Sequence, residues 1–374
     1  MRGKKSHSSL GTALTLSLAV ALNAAGGGFL GGEEGKEEKA RLGAVVLPVL
    51  FSMPETRWGG GVGGLLTYRP AGSREGERPS LLYFYAIYTQ RRQFSTKWEP
   101  EAYFDFEKSL VKAKFQFEKY PEKTWGLGNN APAEREEDFT PRTFVLEISF
   151  QRKLWPARDL YAGPLYQLES YEVLASEPGG LLDTAALPGA SGATSSGAGF
   201  LLNWDTRDNV FFPGRGRYWQ AAAVWNHRLL GSRFRHTALK LDLRQYVPVL
   251  ASHVLALQVL YQAALGEPPF KSLPKLGGDS LLRGYYSGRY RDRHLLALQA
   301  EYRLPLWWRF GAAAFAGLGQ VAEHPGRLGL KTMKLSAGFG VRFKIAPREG
   351  TNLRLDFAWG EGTSGFYFTA AEAF

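Results

Sequence analysis

The chain is 374 residues long, with 46 Lys and Arg against 35 Asp and Glu, 44 glycines and no cysteine. The lack of cysteine excludes a disulfide framework, thiolate zinc sites, thiol nucleophiles and a lipid-modified N-terminal cysteine. Its 44% hydrophobic residues exclude a disordered chain, and no apolar run long enough for a membrane helix follows the N-terminal region.

The N-terminal region has the three parts of a secretory signal peptide. A basic start is followed by a mostly apolar stretch at 10–22 and by small residues at 23–26. This order is typical of a signal peptide, whereas an amphipathic or buried helix is the alternative. We therefore predict a signal peptide at 1–26, a polar Gly/Glu-rich leader at 27–40 and export of the protein.

Beyond residue 40, apolar and polar residues alternate along many runs. Val111, Ala113 and Phe115, for example, alternate with Lys112 and Lys114. Such alternation is typical of β-strands with one apolar and one polar face. In a soluble sandwich the apolar face would lie in the core, and in a membrane barrel it would meet lipid, so alternation alone leaves both open. The predicted strands are 43–52, 57–69, 80–91, 96–105, 109–119, 141–153, 159–172, 197–205, 216–228, 234–246, 252–265, 294–304, 308–320, 333–345, 351–359 and 364–374.

Strand length and loop positions favour the membrane barrel. Most of the predicted strands reach the roughly 9 to 11 residues that cross a bilayer, against about 5 or 6 in soluble sheets. Their number is sixteen, and a single-chain outer-membrane barrel needs an even number. With a periplasmic N-terminus, the three longest connections, 120–140, 173–196 and 266–293, are all external. We predict an all-β fold, a closed antiparallel transmembrane β-barrel at 41–374.

Tryptophans supply a second indication. In a membrane barrel they form girdles at both interfaces, whereas tryptophans scattered through a core are the alternative. The distribution along this chain favours girdles. Three tryptophans lie at predicted periplasmic turns: Trp155, Trp307 and Trp308. Three others lie at predicted external strand ends: Trp58, Trp225 and Trp359.

Four motifs follow one another between residues 199 and 374. They are a turn with Asp205, Arg207, Asp208, Pro213 and Gly216, the loop motif Leu282, Arg283, Gly284 and Tyr285, the strand segment from Glu301 to Pro305, and the end segment with Gly365, Phe366, Phe368 and Phe374. Together and in this order they resemble the BamA/TamA superfamily of outer-membrane barrels, also called bacterial surface antigens.

The resemblance implies that the loop carrying Arg283 folds into the barrel lumen, where Arg283 grips carboxylates on the inner wall. A guanidinium confined in a polar lumen needs a carboxylate, which it can bind bidentately. Alternation along the next strand puts Glu301 on the lumenal face, so Glu301 is the predicted partner. Gly317 stands where the family usually has an aspartate, which predicts that Arg283 depends on Glu301 alone. An ordinary solvated loop arginine is the alternative.

The end segment is predicted to form the last strand, at 364–374, with Phe366, Phe368 and Phe374 on one face. The resemblance implies that a terminal aromatic on such a strand is the signal read by the barrel-assembly machinery that inserts the protein.

Residue patterns for catalysis or metal binding are weak. Asp205 and Asp208 could form a carboxylate pair, but their place at a strand end, before Pro213 and Gly214, favours a hydrogen-bonded periplasmic turn. The six histidines lack ligand spacing, and no Gly-x-Ser-x-Gly motif occurs. We predict no enzyme activity, no metal and no cofactor. The positive charge favours anions or lipid phosphates over nucleic acid.

Three classes of function remain open. By resemblance, the protein takes part in outer-membrane protein insertion or polypeptide translocation, through a weak seam between its first and last strands and the loop carrying Arg283. The alternatives are a passive or gated pore or structural barrel, and a barrel-embedded enzyme. The family usually carries periplasmic polypeptide-transport domains before the barrel, and the short segment ahead of residue 41 predicts a form without them. The expected partners are outer-membrane lipid and lipopolysaccharide, the barrel-assembly machinery, and client polypeptides that a separate periplasmic partner delivers or that engage the barrel directly.

Overall fold

The computed structural model describes residues 40–53, 57–73, 77–154, 159–250, 252–346 and 351–374. The predicted signal peptide, the leader up to residue 39 and Trp155 lie outside the described residues.

Sixteen long strands follow one another through the described residues, at the positions that alternation predicts. They are β1 (Arg41–Met53), β2 (Arg57–Arg69), β3 (Ser80–Thr89), β4 (Phe94–Phe104), β5 (Ser109–Lys119), β6 (Glu137–Lys153), β7 (Leu160–Ser176), β8 (Gly192–Asp205), β9 (Gly216–Asn226), β10 (His236–Leu250), β11 (His253–Gly266), β12 (His294–Pro305), β13 (Phe310–Ala322), β14 (Lys334–Ala346), β15 (Thr351–Gly360) and β16 (Thr363–Ala370).

Each strand pairs antiparallel with the next along the chain, from β1 to β16. A three-residue strand, Glu122–Thr124, pairs with the start of β6 and brings the sheet to 17 strands. The predicted all-β antiparallel fold is thus confirmed. Among the described residues, no ladder joins β1 to β16.

The sheet curls around a lumen. A cavity of about 950 Å³ is lined by side chains from β3 through β11, and the loop after β11 and the segment after β16 also reach it. On β12, Gln299, Glu301 and Arg303 face this interior and are buried, whereas Ala300 and Tyr302 between them are only partly buried. Polar side chains inside and apolar side chains outside are the arrangement of a membrane barrel, not of a soluble sandwich.

Tryptophans ring the outer surface at both ends of the barrel. Trp58, Trp225 and Trp359 are at least half exposed near one end, at the start of β2 and the ends of β9 and β15. Trp307 and Trp308 are more exposed still, in the turn before β13 at the opposite end. This placement is that of the predicted girdles and not of a buried core.

The two ends of the barrel carry different connections. Long connections follow β5, β7 and β11, at 120–136, 177–191 and 267–293, and we call this the loop end. Connections after even-numbered strands, such as 306–309, lie at the other end, the turn end. The helical segments of the described residues are single 3₁₀ turns, and none is long and apolar enough to cross a membrane.

The last strand is shorter than predicted. After β16 ends, Ala371 has a positive φ of 65°, which turns the chain into the lumen. Phe374 is 4% exposed there, whereas Phe366 and Phe368 face outward and are 41% and 39% exposed. The prediction that Phe374 shares their face in a strand reaching 374 is therefore wrong.

Glu372 gives a physical reason for this turn. If β16 continued, Glu372 would stand on the outward face and meet lipid, where a charged side chain is costly. Inside the lumen its carboxylate instead lies 2.9 Å from Nε of Arg342 and accepts a hydrogen bond from Asn352 at 3.1 Å. The segment after β16 thus becomes part of the lumenal wall.

Candidate functional site

The loop after β11 folds back into the lumen from the loop end. A short ribbon, Lys275–Leu276 paired with Tyr290–Arg291, closes the base of its inner part. Leu276, Leu282 and Tyr285 are at most 1% exposed and pack in one apolar cluster with side chains of β12 and β13. This is the loop that the family resemblance places inside the lumen.

Gly284 lets this loop approach the barrel wall. Its φ is 107°, and a Cβ at this position would lie 2.7 Å from the carbonyl carbon of Trp359 on β15. Its N–H donates to the Tyr367 hydroxyl at 2.8 Å, and the Thr363 hydroxyl donates to its carbonyl oxygen at 3.0 Å. Because only glycine combines this φ with so close a contact, Gly284 fixes the position of Arg283.

Arg283 reaches two carboxylates on different strands. Its guanidinium donates to Glu301 on β12 at 2.5 Å and to Asp356 on β15 at 2.6 Å. The same guanidinium lies 3.3 Å from the centroid of the Phe315 ring on β13, and the Ser336 hydroxyl on β14 donates to the Arg283 carbonyl oxygen. One residue of the loop therefore contacts four consecutive strands through charge-assisted, cation–π and neutral contacts.

Arg283 belongs to a larger ionic cluster that joins β12, β14, β15 and the segment after β16. Arg342 on β14 lies within 3.3 Å of a carboxylate oxygen of each of the three acidic members. All members are at most 3% exposed, so their opposite charges stabilise one another inside the wall of the lumen. The residues of this lumenal cluster are Arg283, Arg303, Arg342, Arg354, Glu301, Asp356 and Glu372.

The expectation that Arg283 depends on Glu301 alone is wrong, because Asp356 supplies a second carboxylate. Gly317 has a different role, since a Cβ there would come within 3.4 Å of the Leu282 side chain. Its lack of a side chain leaves room for the infolded loop. A signal for Asp356 was present in the sequence, because it alternates with apolar neighbours on β15 and so faces the lumen.

The predicted turn motif lies at the turn end, after β8. Both carboxylate oxygens of Asp205 accept bonds from the Arg207 guanidinium, each at 2.9 Å, and Arg78 lies 2.9 Å from the same carboxylate. Burial lowers the pKa of Arg207 and the Asp205 carboxylate raises it, and the carboxylate outweighs burial, so this pKa lies above the ordinary arginine value. No pattern in the sequence indicates Arg78, which lies in a loop without a motif.

Other members of the motif shape the backbone of the turn. Asp208 accepts hydrogen bonds from the N–H groups of Gly214 and of the next residue, at 2.9 and 3.2 Å. Gly216 has a φ of 102°, and a Cβ there would lie 2.2 Å from the Thr206 carbonyl oxygen. Pro213 is buried. The motif therefore builds a hydrogen-bonded turn.

The family model of the Omp85 superfamily domain matches residues 85–374. The chain belongs to the Omp85 superfamily. The resemblance to BamA/TamA barrels that the motifs indicate is thereby confirmed.

Two solved structures are similar to this Omp85 barrel. One is BamA from Haemophilus ducreyi lacking POTRA domains 1–3, with a TM-score of 0.54 and 12% identity over 90% of this chain and 70% of that chain. The other is CdiB from Escherichia coli, with a TM-score of 0.51 and 12% identity over 90% of this chain and 62% of that chain. The chain thus spans less than two thirds of CdiB. No curated protein sequence matches it. At this identity the likeness shows the fold alone, that of an outer-membrane β-barrel.

A second ion pair holds the base of the loop of this Omp85 barrel. Lys271, in the loop after β11, lies 2.5 Å from Glu122, and Lys275 lines the cavity nearby. Burial raises the pKa of Glu122 and Lys271 lowers it, with a net pKa below the usual value. Burial lowers the pKa of Lys275 more than Glu122 raises it. Within the described part of the chain, no group of three or more His, Asp or Glu side chains is placed to hold a metal ion.

Proposed function

We propose that this barrel takes part in inserting outer-membrane proteins or in moving polypeptides across the outer membrane. The observation that carries the proposal is the seam between β1 and β16. Every other pair of neighbouring long strands is joined by an antiparallel ladder, whereas no ladder joins these two among the described residues. Strand edges offer N–H and C=O groups to an incoming strand, which can add to the sheet through main-chain hydrogen bonds.

The two sides of the seam are held differently. The segment after β16 is anchored in the lumen, where Glu372 joins the lumenal cluster and Phe374 is buried. β1 pairs with β2, which contains five glycines. Glycine weakens a strand because it adds backbone entropy and no packing side chain. We infer that the β1–β2 hairpin moves when the seam opens, while β16 stays with the cluster.

A cross-linking experiment tests the proposal, and the absence of native cysteine makes it specific. The variant Ala44→Cys/Phe366→Cys places one thiol on β1 and one on β16, both on the outward face, joined by a short cross-linker that dithiothreitol cleaves. Wild-type barrel in liposomes should accelerate folding of an unfolded outer-membrane client, measured by heat-modifiable gel mobility. Sealing the seam should abolish the acceleration, and cleavage of the linker should restore it.

The matched control is Ala44→Cys/Leu66→Cys, because these two residues are partners in the β1–β2 ladder and share the outward face. A link between them should leave client folding unchanged. Client folding that is no faster with the wild-type barrel than in protein-free liposomes would contradict the proposal, as would full activity of the sealed seam.

A passive or gated pore is the second candidate, favoured by the polar cavity of about 950 Å³ in the lumen. A barrel that conducts ions in planar bilayers but does not accelerate client folding would support it. Both candidate functions are the movement of a polypeptide or a solute. Neither requires catalytic chemistry or a cofactor in the barrel.

A further inference from the structure

One hairpin of the barrel carries a run of basic residues without acidic ones. No Asp or Glu occurs between Asp208 and Asp242, although the chain has 35 acidic residues in 374. Half of the basic residues in this interval lie in one loop, 227–235, which joins β9 to β10 at the loop end. The basic residues of the interval are Arg215, Arg217, Arg228, Arg233, Arg235 and Lys240.

This loop has a defined backbone. It contains the 3₁₀ turn Arg228–Leu230, which ends at Gly231 with a φ of 90°. The His227 ring accepts a hydrogen bond from an N–H group of this turn at 3.3 Å. The Arg233 N–H donates to the Thr194 carbonyl oxygen on β8 at 2.8 Å. The backbone of the loop is therefore held in one conformation against β8.

The loop presents apolar and basic side chains together. Leu229 is 86% exposed, and its neighbour Leu230 is 39% exposed. Arg228, Arg233 and Arg235 are also exposed. Across the described ranges, none of these three guanidinium groups has a hydrogen-bond or ion-pair partner. We call these five residues the basic rim.

Trp225 places the basic rim at the membrane interface. It belongs to the tryptophan girdle of the loop end, and its ring stacks on that of His227 with centroids 4.6 Å apart. Girdle tryptophans mark the level of the lipid headgroups. Since the basic rim begins directly after His227, its leucines can enter the apolar part of the leaflet while its arginines reach the headgroups.

We propose that the basic rim binds the anionic phosphate headgroup of a lipid in the leaflet at the loop end. Guanidinium groups bind phosphate oxygens through parallel charge-assisted hydrogen bonds. Arg142, another exposed arginine near this end, differs because Glu172 neutralises it at 2.5 Å. Glu267, whose N–H donates to the Arg235 carbonyl oxygen at 2.9 Å, forms no ion pair with the rim in the described part of the chain, so the three arginines keep a net positive charge that is matched to an anionic partner. The lipid site exists whether or not the barrel inserts other proteins.

The experiment compares the wild type with the triple variant Arg228→Gln/Arg233→Gln/Arg235→Gln, both folded in detergent. Native mass spectrometry follows the titration of phosphatidylglycerol or phosphatidylcholine into each protein. Wild type should bind phosphatidylglycerol more tightly than phosphatidylcholine. Each arginine near an anionic lipid surface contributes about fivefold in affinity, so the triple variant should bind phosphatidylglycerol on the order of 100-fold more weakly. Its affinity for phosphatidylcholine should be unchanged.

A matched control removes three positive charges at the same end that already have carboxylate partners. It carries Lys123→Gln, Arg142→Gln and Arg327→Gln, whose partners include Glu136, Glu172 and Glu323. The control should keep the wild-type affinity for phosphatidylglycerol. Equal binding of the two lipids by the wild type would overturn the proposal, and so would an equal loss of affinity in the control and the triple variant.

Discussion

Replacing Arg283 with methionine should release the infolded loop from the lumenal wall. Arg283 is 1% exposed, and its guanidinium bridges Glu301 on β12 and Asp356 on β15. Removing one partner of a buried ion pair costs about 3 to 5 kcal/mol, and less where water reaches it. A loss of about 3 kcal/mol raises the released population on the order of 100-fold. Protease cleavage within 277–293 should rise by the same factor when opening is fast relative to cleavage.

The same variant should conduct ions better in planar bilayers, because the released loop no longer obstructs the lumen. The matched control is Arg293→Met in the same loop, where the guanidinium donates to the Gly266 carbonyl oxygen at 2.7 Å and takes no part in the lumenal cluster. This control should leave cleavage and conductance unchanged. Wild-type cleavage and conductance in Arg283→Met would show that the apolar contacts of Leu282 and Tyr285 hold the loop by themselves.

Charge balance in the lumenal cluster predicts a further difference between its members. Four arginines face three side-chain carboxylates, and two further groups oppose their charge: Asp279, 3.7 Å from Arg354, and the main-chain oxygen of Phe374, which accepts from Arg303 at 2.9 Å. Glu301→Gln leaves four arginines with two of the three carboxylates, whereas Arg283→Met leaves three arginines with three carboxylates. We therefore expect Glu301→Gln to lower the urea midpoint of the folded barrel more than Arg283→Met does, although Arg283→Met releases a larger fraction of the infolded loop. The reverse order of midpoints would contradict this charge argument.

Most of the fold could be predicted because each strand of a membrane barrel carries its own signal. One face meets lipid and the other the lumen, so every strand alternates independently of the others. Alternation does not report where a strand leaves the sheet. Phe366 and Phe368 face outward as predicted, but the turn at Ala371 sends Phe374 inward. The signal against a longer strand was Glu372, a charge on a face that is otherwise apolar.

The site could be predicted only in part. Arg283 and Glu301 could be paired because the family motif places Arg283 in the lumen and strand alternation places Glu301 on the lumenal face. Alternation also predicts that Asp356 faces the lumen. It does not predict that Asp356 lies at the height of Arg283 along the barrel axis, because that height depends on the register between neighbouring strands. The contact of Arg78 with Asp205 spans 127 residues and has no local pattern at all.

Replacing Phe374 with alanine should lower the free energy of unfolding of the barrel by about 3 to 5 kcal/mol, the usual cost for a buried phenylalanine. The ring is buried against Tyr246 on β10 and against Val254 and Ala256 on β11. Urea titration of the refolded protein in lipid measures the change. The matched control is Phe368→Ala, which removes the same side chain from the outward face, where it is 39% exposed. Because lipid can fill the space left by the Phe368 ring, this control should lower the free energy of unfolding less than Phe374→Ala does.

A second variant separates the packing of Phe374 from recognition of the end segment. Phe374→Ala changes both the folded contact and the sequence that the assembly machinery would read. Ala256→Leu instead fills the pocket from β11 and displaces the Phe374 ring, at a cost of about 1 to 3 kcal/mol, while the end segment stays intact. We expect cells to insert Ala256→Leu at the wild-type level and Phe374→Ala at a reduced level, measured as the heat-modifiable fraction in outer membranes. Equal losses of insertion would mean that Phe374 acts through the folded state, since Ala256→Leu disturbs nothing else that the machinery could read.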